Sequence, residues 1–206
     1  MNKVTSSPAS AAGKSPASVI TGPGGGGITT WSSRIVASGD DGYWVVGQSF
    51  HNSATTARVG YEFMMFTPIH SFFRFQNVTV PNATTISTAT LTLVVGAAAS
   101  TAFNMRMKGE DVDDSVAYAN LTAANDAANT GASVVWRGAA SWATSDVEVS
   151  PDIKTVIQEI VNRGGWASGN DLTLRLHYED IATEEDYEFK TFDDSAGVSA
   201  LLTIQY

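Results

Sequence analysis

The side chains that could do chemistry are few and scattered. The chain has no cysteine, which excludes disulfides, thiolate metal sites and thiol nucleophiles together. Its three histidines, His51, His70 and His177, stand far apart without metal-ligand spacing, and no nucleophile is paired by spacing with a base. Acids cluster at Glu110-Asp111-Val112-Asp113-Asp114, at Glu179-Asp180 and at Glu184-Glu185-Asp186. Catalysis by paired carboxylates needs two such groups about 5–10 Å apart across a cleft, and nothing in the spacing arranges that. Solvated loop charge is the ordinary reading of such runs, and no enzyme is expected. A hard cation suits these acids better. Asp40 and Asp41, then Asp111, Asp113 and Asp114, then Asp193 and Asp194 are the loop oxygens that calcium takes, although no EF-hand spacing is present. No cofactor is expected beyond a structural Ca2+ on one of these sets.

Sugar binding draws on a different supply, exposed aromatic rings with polar neighbours. Trp31, Trp44, Trp136, Trp142 and Trp166, with Tyr43, are the candidates. Trp136 continues the apolar run Val134-Val135, and Trp166 follows a helix stop, so both read as core. Trp142, after Gly138-Ala139-Ala140-Ser141, reads as the most exposed, and Trp44 joins it as a possible glycan platform.

Something must position these groups, and 206 residues are enough for one domain with an appendage. Residues 1–27 are almost all Ser, Ala, Thr, Pro, Gly and Lys, ending in Gly22-Pro23-Gly24-Gly25-Gly26-Gly27. Such a segment buries too little apolar surface to offset its ordering entropy, so it reads as an extended arm. It carries Lys3 and Lys14 and no acid, so a net charge of −9 for the chain leaves −11 on residues 28–206. Lys3, Lys14, Ile20, Pro23 and Ile28 are its candidate docking residues. Two phosphate-loop lookalikes fail on context. Gly22-x-Gly24-x-x-Gly27 lacks a preceding strand and a following helix, and Gly13-Lys14-Ser15 lacks the upstream glycine, which is Pro8 here. The acidic balance argues against nucleic acid as a partner. No apolar run approaches the roughly 18 residues of a membrane span, and no apolar stretch after Lys3 suits a signal peptide, so neither membrane nor export is expected.

From Ile28 onward the pattern has period two. Phe73 and Phe75, then Ala89, Leu91, Leu93 and Val95, then Met105 and Met107 alternate with polar residues, as do Leu172, Leu174, Leu176 and Tyr178, while Ala200, Leu202, Ile204 and Tyr206 close the chain on the same period. Alternation predicts strands with one core face and one solvated face. Shorter strands are predicted at 33–37, 43–50, 63–66, 134–137 and 187–192. Many short strands between Gly, Asn, Asp and Ser turns predict an antiparallel β-sandwich. One helix, about 150–163, interrupts them. Ser150 is its predicted N-cap, Pro151 its first residue, and Ile153, Val156, Ile157, Ile160 and Val161 its apolar stripe, ended by Gly164-Gly165 with a left-handed glycine.

Three stretches together resemble a jelly-roll module of the carbohydrate-binding-module kind. They are Phe72-Phe73-Arg74-Phe75-Gln76-Asn77-Val78-Thr79-Val80-Pro81 with Ala83 to Leu91, Ser150 to Asn170, and Ser199 to Tyr206. The resemblance covers roughly residues 33–206 and implies a jelly-roll β-sandwich. Such modules occur in extracellular bacterial proteins and in the virion proteins of tailed phages. A module standing behind an arm without a signal peptide points to the virion, made in the host cytoplasm. The expected function is a phage structural protein, a capsid decoration (cement) or head or tail appendage subunit. Its arm would dock on other virion proteins, and it would form a homo-oligomer. The alternative is a carbohydrate-binding or adhesion module on a surface fibre.

Overall fold

A computed structural model describes residues 18–20, 27–62, 67–179 and 186–206. Along the chain run β1 (Ser18–Ile20), β2 (Thr30–Arg34), β3 (Asp41–Val45), β4 (Ser49–His51), β5 (Thr56–Glu62), β6 (Thr67–Val78), β7 (Thr88–Val94), β8 (Asn104–Gly109), α1 (Leu121–Asp126), β9 (Val134–Arg137), β10 (Val147–Val149), α2 (Lys154–Val161), β11 (Asn170–Tyr178), β12 (Asp186–Lys190) and β13 (Leu201–Gln205). The strands form two sheets, both antiparallel, that pack as the expected sandwich. One has the order β1-β2-β13-β7-β10. The other has the order β12-β5-β6-β11-β8-β9, with β3 on β6 and β4 on β3. No helix among the described residues is long and apolar enough to cross a membrane.

The period-two residues meet between the sheets. Leu91 and Leu93 of β7, Leu202 and Ile204 of β13, Phe73 and Phe75 of β6, Met105 and Met107 of β8, and Leu172, Leu174 and Leu176 of β11 share one core with Trp31. Each is removed from water, worth about 1.5–3 kcal/mol per large side chain. The partner strands follow from register: β13 lies between β2 and β7, with Leu202 opposite both Ser33 and Leu91.

Four sequence expectations need correction. The predicted strand 43–50 is a hairpin, β3 and β4, because Gly47 takes a φ of +72° that a turn uses and a strand does not. The predicted solvated face of β11 is buried at Thr173 and Arg175, because a second layer covers it. That layer includes α1, which the periodicity did not reveal. Asn120 caps it, its side-chain oxygen accepting from the Ala123 N–H at 3.0 Å. The predicted strand 63–66 lies outside the described residues.

Helix α2 is the fourth. It starts at Lys154, later than its sequence suggests. The chain from Ser150 to Ile153 is instead held along β7, with the Ser150 and Ile153 N–H groups each donating at 2.8 Å, to Leu91 O and Ala89 O. Ser150 Oγ accepts from the Leu91 N–H, so it is unavailable as a cap. Asp152 takes over, its Oδ1 accepting from both the Lys154 and Ala89 N–H groups at 3.0 Å. At the other end Gly164 and Gly165 are not left-handed. A Cβ at Gly165 would lie 2.2 Å from the Asp113 carboxylate, which would have to turn aside. The apolar stripe does face the core, with Val156, Ile157, Ile160 and Val161 buried. Asp152→Ala removes a cap and a strand anchor together, and should cost about 1–2 kcal/mol in urea unfolding with α2 fraying first in hydrogen exchange.

Candidate functional site

The eight-stranded sheet carries chemistry on both of its faces. On the face turned away from the other sheet, β3 contributes Trp44, β6 contributes His70 and Phe72, and β11 contributes Arg175 and His177. Residues 118–127, including α1, close over them with Tyr118 and Ala124. Arg175 is buried there without an ion pair among the described residues. Its guanidinium stands 4.9 Å from the Trp44 ring and 5.9 Å from the Tyr118 ring. It donates to Ala127 O at 2.6 Å, to Asn129 Oδ1 at 2.9 Å and to Ala124 O. The His70 and His177 rings lie 4.4 Å apart beneath Trp44. Burial, with Arg175 adding to it, pushes His70 down to about 3; burial, then His70 and Arg175, pushes His177 down to about 2. Both are therefore neutral. A buried positive charge and two half-buried neutral imidazoles thus pack together under the outer layer.

The opposite face of β3 is more open. Tyr43 pairs with Ser71 of β6 and so lies on the same side of the sheet as Phe73, but it packs apart from the main core with Val45 and Ile69. A cleft of about 360 Å³ opens there, bordered by Tyr43, Gln48, Ser49, His51, Arg58 and Glu62. The Tyr43 and His51 rings stack at 4.4 Å and 15°, and the Arg58 guanidinium sits 5.5 Å from the Tyr43 ring. Arg58 is held by Asp186, and His51 Nε2 shares a hydrogen bond of 2.9 Å with Ser49 Oγ. Burial and then Arg58 lower the His51 pKa. No carboxylate orients His51 among the hydrogen bonds of the described residues, so Ser49 and His51 lack the third member of a hydrolytic triad. Stacked rings rimmed by an amide, a hydroxyl, a carboxylate and a guanidinium instead match the surface of a polyhydroxylated ligand. Three strands build this cleft, and no sequence spacing announces it; only Tyr43 was among the candidates.

The expected glycan platform does not exist as such. Trp44 is 1% exposed and Trp142 is 8% exposed. The first is covered by the outer layer. The second is turned inward by an aromatic cluster with Trp136, Tyr187 and Phe189, whose ring centroids lie 4.9–6.1 Å from its own. Trp31, Trp136 and Trp166 are buried as well. The acid clusters are largely engaged by the chain's own arginines. Arg163 bonds Asp111 and Asp113, the latter at 2.7 Å. Arg74 bonds Asp40 at 2.6 Å and also Asp171, whose own N–H donates to Asp114 Oδ1 at 2.8 Å. Lys190 lies 3.5 Å from Asp194. Glu179 is paired with Arg106. Among the described residues no group of three or more His, Cys, Asp or Glu side chains is gathered for a metal. Of the arm candidates, Lys3, Lys14 and Pro23 lie outside the described residues, Ile20 ends β1, and Ile28 is exposed.

Compared with known families, the chain matches no family model, and no curated protein matches it either.

The buried histidines set the acid stability. Their folded pKa values lie below the ordinary 6.5, so their stabilisation is complete above pH 6.5 and is lost as the pH falls through that value towards about 3. Asp41, raised from 3.8 to about 7, first by burial, has the opposite sign: its contribution is complete below 3.8 and is lost as pH rises through about 7. The two histidines together outweigh Asp41, so the balance is a net loss of stability on acidification between about pH 6 and 4. Unfolding free energies measured across that range should show this slope, and His177→Gln should flatten it; an unchanged slope in the variant would refute the assignment.

Proposed function

We propose that the protein is a structural subunit of a bacteriophage virion, a capsid decoration (cement) or head or tail appendage subunit whose N-terminal arm ties it to its neighbours. One observation carries this reading. Ser18–Ile20, inside the predicted arm, adds as a strand to the edge of the smaller sheet, with Ser18 opposite Ser32, Val19 opposite Trp31 and Ile20 opposite Thr30. β2 already has β13 on its other side, so the sheet is bonded without β1. The same hydrogen bonds form equally well on the β2 of an adjacent copy, which makes exchange a low-cost route to assembly. At a lattice, the high local concentration of neighbours favours that exchange. A basic arm on an acidic domain adds attraction between copies. The resemblance to modules of tailed-phage virions supplies the setting.

Removing residues 1–27 should lower binding to purified virions at least tenfold in co-sedimentation, with the melting temperature of the sandwich nearly unchanged. Undiminished binding ends the proposal. Because the chain has no cysteine, a mixture of Ser18→Cys and Ser32→Cys proteins on particles should form mixed disulfide dimers if β1 crosses between copies.

The cleft at Tyr43 and His51 favours a second reading, a glycan-binding module on a surface fibre. On a glycan array His51→Ala and Gln48→Ala should each weaken the wild-type signal about tenfold, whereas Trp142→Ala should act only through stability. A wild type that binds no glycan removes this reading.

A further inference from the structure

Among the described residues, two buried carboxylate oxygens have no hydrogen-bond partner. Asp41, at the start of β3, is wholly buried; its Oδ2 accepts from the Phe192 N–H at 2.9 Å, and its Oδ1 has no partner. Asp193, the next residue after Phe192, has a buried Oδ2 that is also without a partner. The hydrogen bond to Phe192 thus brings the Asp41 carboxylate against the backbone that carries Asp193. A buried anionic oxygen left unsatisfied costs more than almost any other single defect, and two beside one another repel as well.

The neighbouring cations are committed elsewhere. Arg74 is divided between Asp40 and Asp171, Gln76 donates to the second oxygen of Asp40 at 2.6 Å, and Lys190 sits with Asp194. Among the seven acids that the sequence offered for a cation, Asp40, Asp111, Asp113, Asp114 and Asp194 each have a donor or cation from the chain. Asp41 and Asp193 alone keep a buried oxygen without one.

We propose that Asp41 and Asp193 hold a hard divalent cation, Ca2+, between the start of β3 and the loop that follows β12. The two carboxylates supply its charge, and main-chain oxygens and water complete the shell of about six to eight oxygens that calcium takes. A donor set in which one carboxylate oxygen is already given to an N–H suits the variable geometry of calcium better than the strict octahedron of magnesium. Without the ion, burial and the charges of Asp193 and Asp40 raise Asp41 to about 7, so at neutral pH a proton occupies the place of the metal part of the time. The ion has a mechanical consequence. β3 and β12 belong to the same eight-stranded sheet without being neighbours in it, so a bound cation would tie the start of β3 to the chain leaving β12.

Thermal unfolding of the full chain at about pH 8, where Asp41 is ionised, tests this. Calcium at about 5 mM, against a chelator, should raise the melting temperature by several degrees, and magnesium should do much less. Terbium luminescence should report one site, from which calcium displaces the terbium. Asp41→Asn should abolish the calcium shift, and Asp193→Asn, at a half-exposed residue, should weaken affinity at least tenfold. Asp113→Asn, whose carboxylate serves Arg163, should leave it intact. A wild type indifferent to calcium in both measurements overturns the proposal, as does a calcium response that survives both the Asp41 and Asp193 substitutions. A variant Asp41→Asn more stable than the wild type in chelator, with no calcium shift in either, would assign the pair a shared proton only and equally overturn the cation.

Discussion

The eight-stranded sheet is covered on both faces, and Arg175 makes the second cover possible. A layer laid over an apolar sheet buries the carbonyl groups where its short helix ends, and those carbonyls need donors. The guanidinium of Arg175 reaches up from β11 to Ala124 O and Ala127 O while its plane rests beside Trp44 and Tyr118. One side chain therefore satisfies the helix end and packs against the rings that surround it. The cost is a charge removed from water with no carboxylate bonded to it, and its field adds to the burial that keeps His70 and His177 neutral. A second positive charge in the same layer would be repelled by Arg175.

The same economy of cations runs through the rest of the chain. Acids outnumber Lys and Arg by 21 to 12, yet the loops around residues 110–115 and 170–171 are held by arginine bridges rather than left to repel. Arg74 and Arg163 each take two carboxylates from segments distant in sequence, and Asn170 adds a bond to Asp113 O at 2.9 Å. Bidentate and bridging contacts of this kind suit the planar fork of arginine and would be lost with lysine. These bridges explain how an acid-rich edge stays ordered, and they also separate the acids that have counter-charges from the pair that does not.

Much of the sandwich was legible because burial on one face imposes period two, and β7, β8, β9, β11 and β13 fall where alternation or a short apolar run placed them. The rest was hidden for identifiable reasons. β11 alternates Leu with Thr, Arg and His, which looks half-solvated, and only the distant segment 118–127 makes its polar face an interior. α1 is a six-residue helix, too short to display a stripe. Ser150-Pro151 has the chemistry of a helix start, but hydrogen bonds to β7 outcompete it. Among the site residues, Asp41 and Asp193 were named by ligand type alone. Sorting them from the other acids required Arg74 and Phe192, which come from elsewhere in the chain. The cleft at Tyr43 and His51 needed β3, β4 and β5 side by side, and Trp142 looked exposed because its loop is rich in Gly, Ala and Ser while its ring turns inward.

All five tryptophans end up shielded, and they do so in distinct surroundings: Trp31 between the sheets, Trp44 under the outer layer, Trp136 and Trp142 in the aromatic cluster, and Trp166 beside α2 with its indole N–H donating to Val80 O at 3.0 Å. Their combined emission is consequently a composite signal from separate compartments of one molecule. Shedding the outer layer alone would redden only the share belonging to Trp44, while the others stayed dark to the event. Intrinsic fluorescence thus distinguishes partial opening from wholesale collapse without any label.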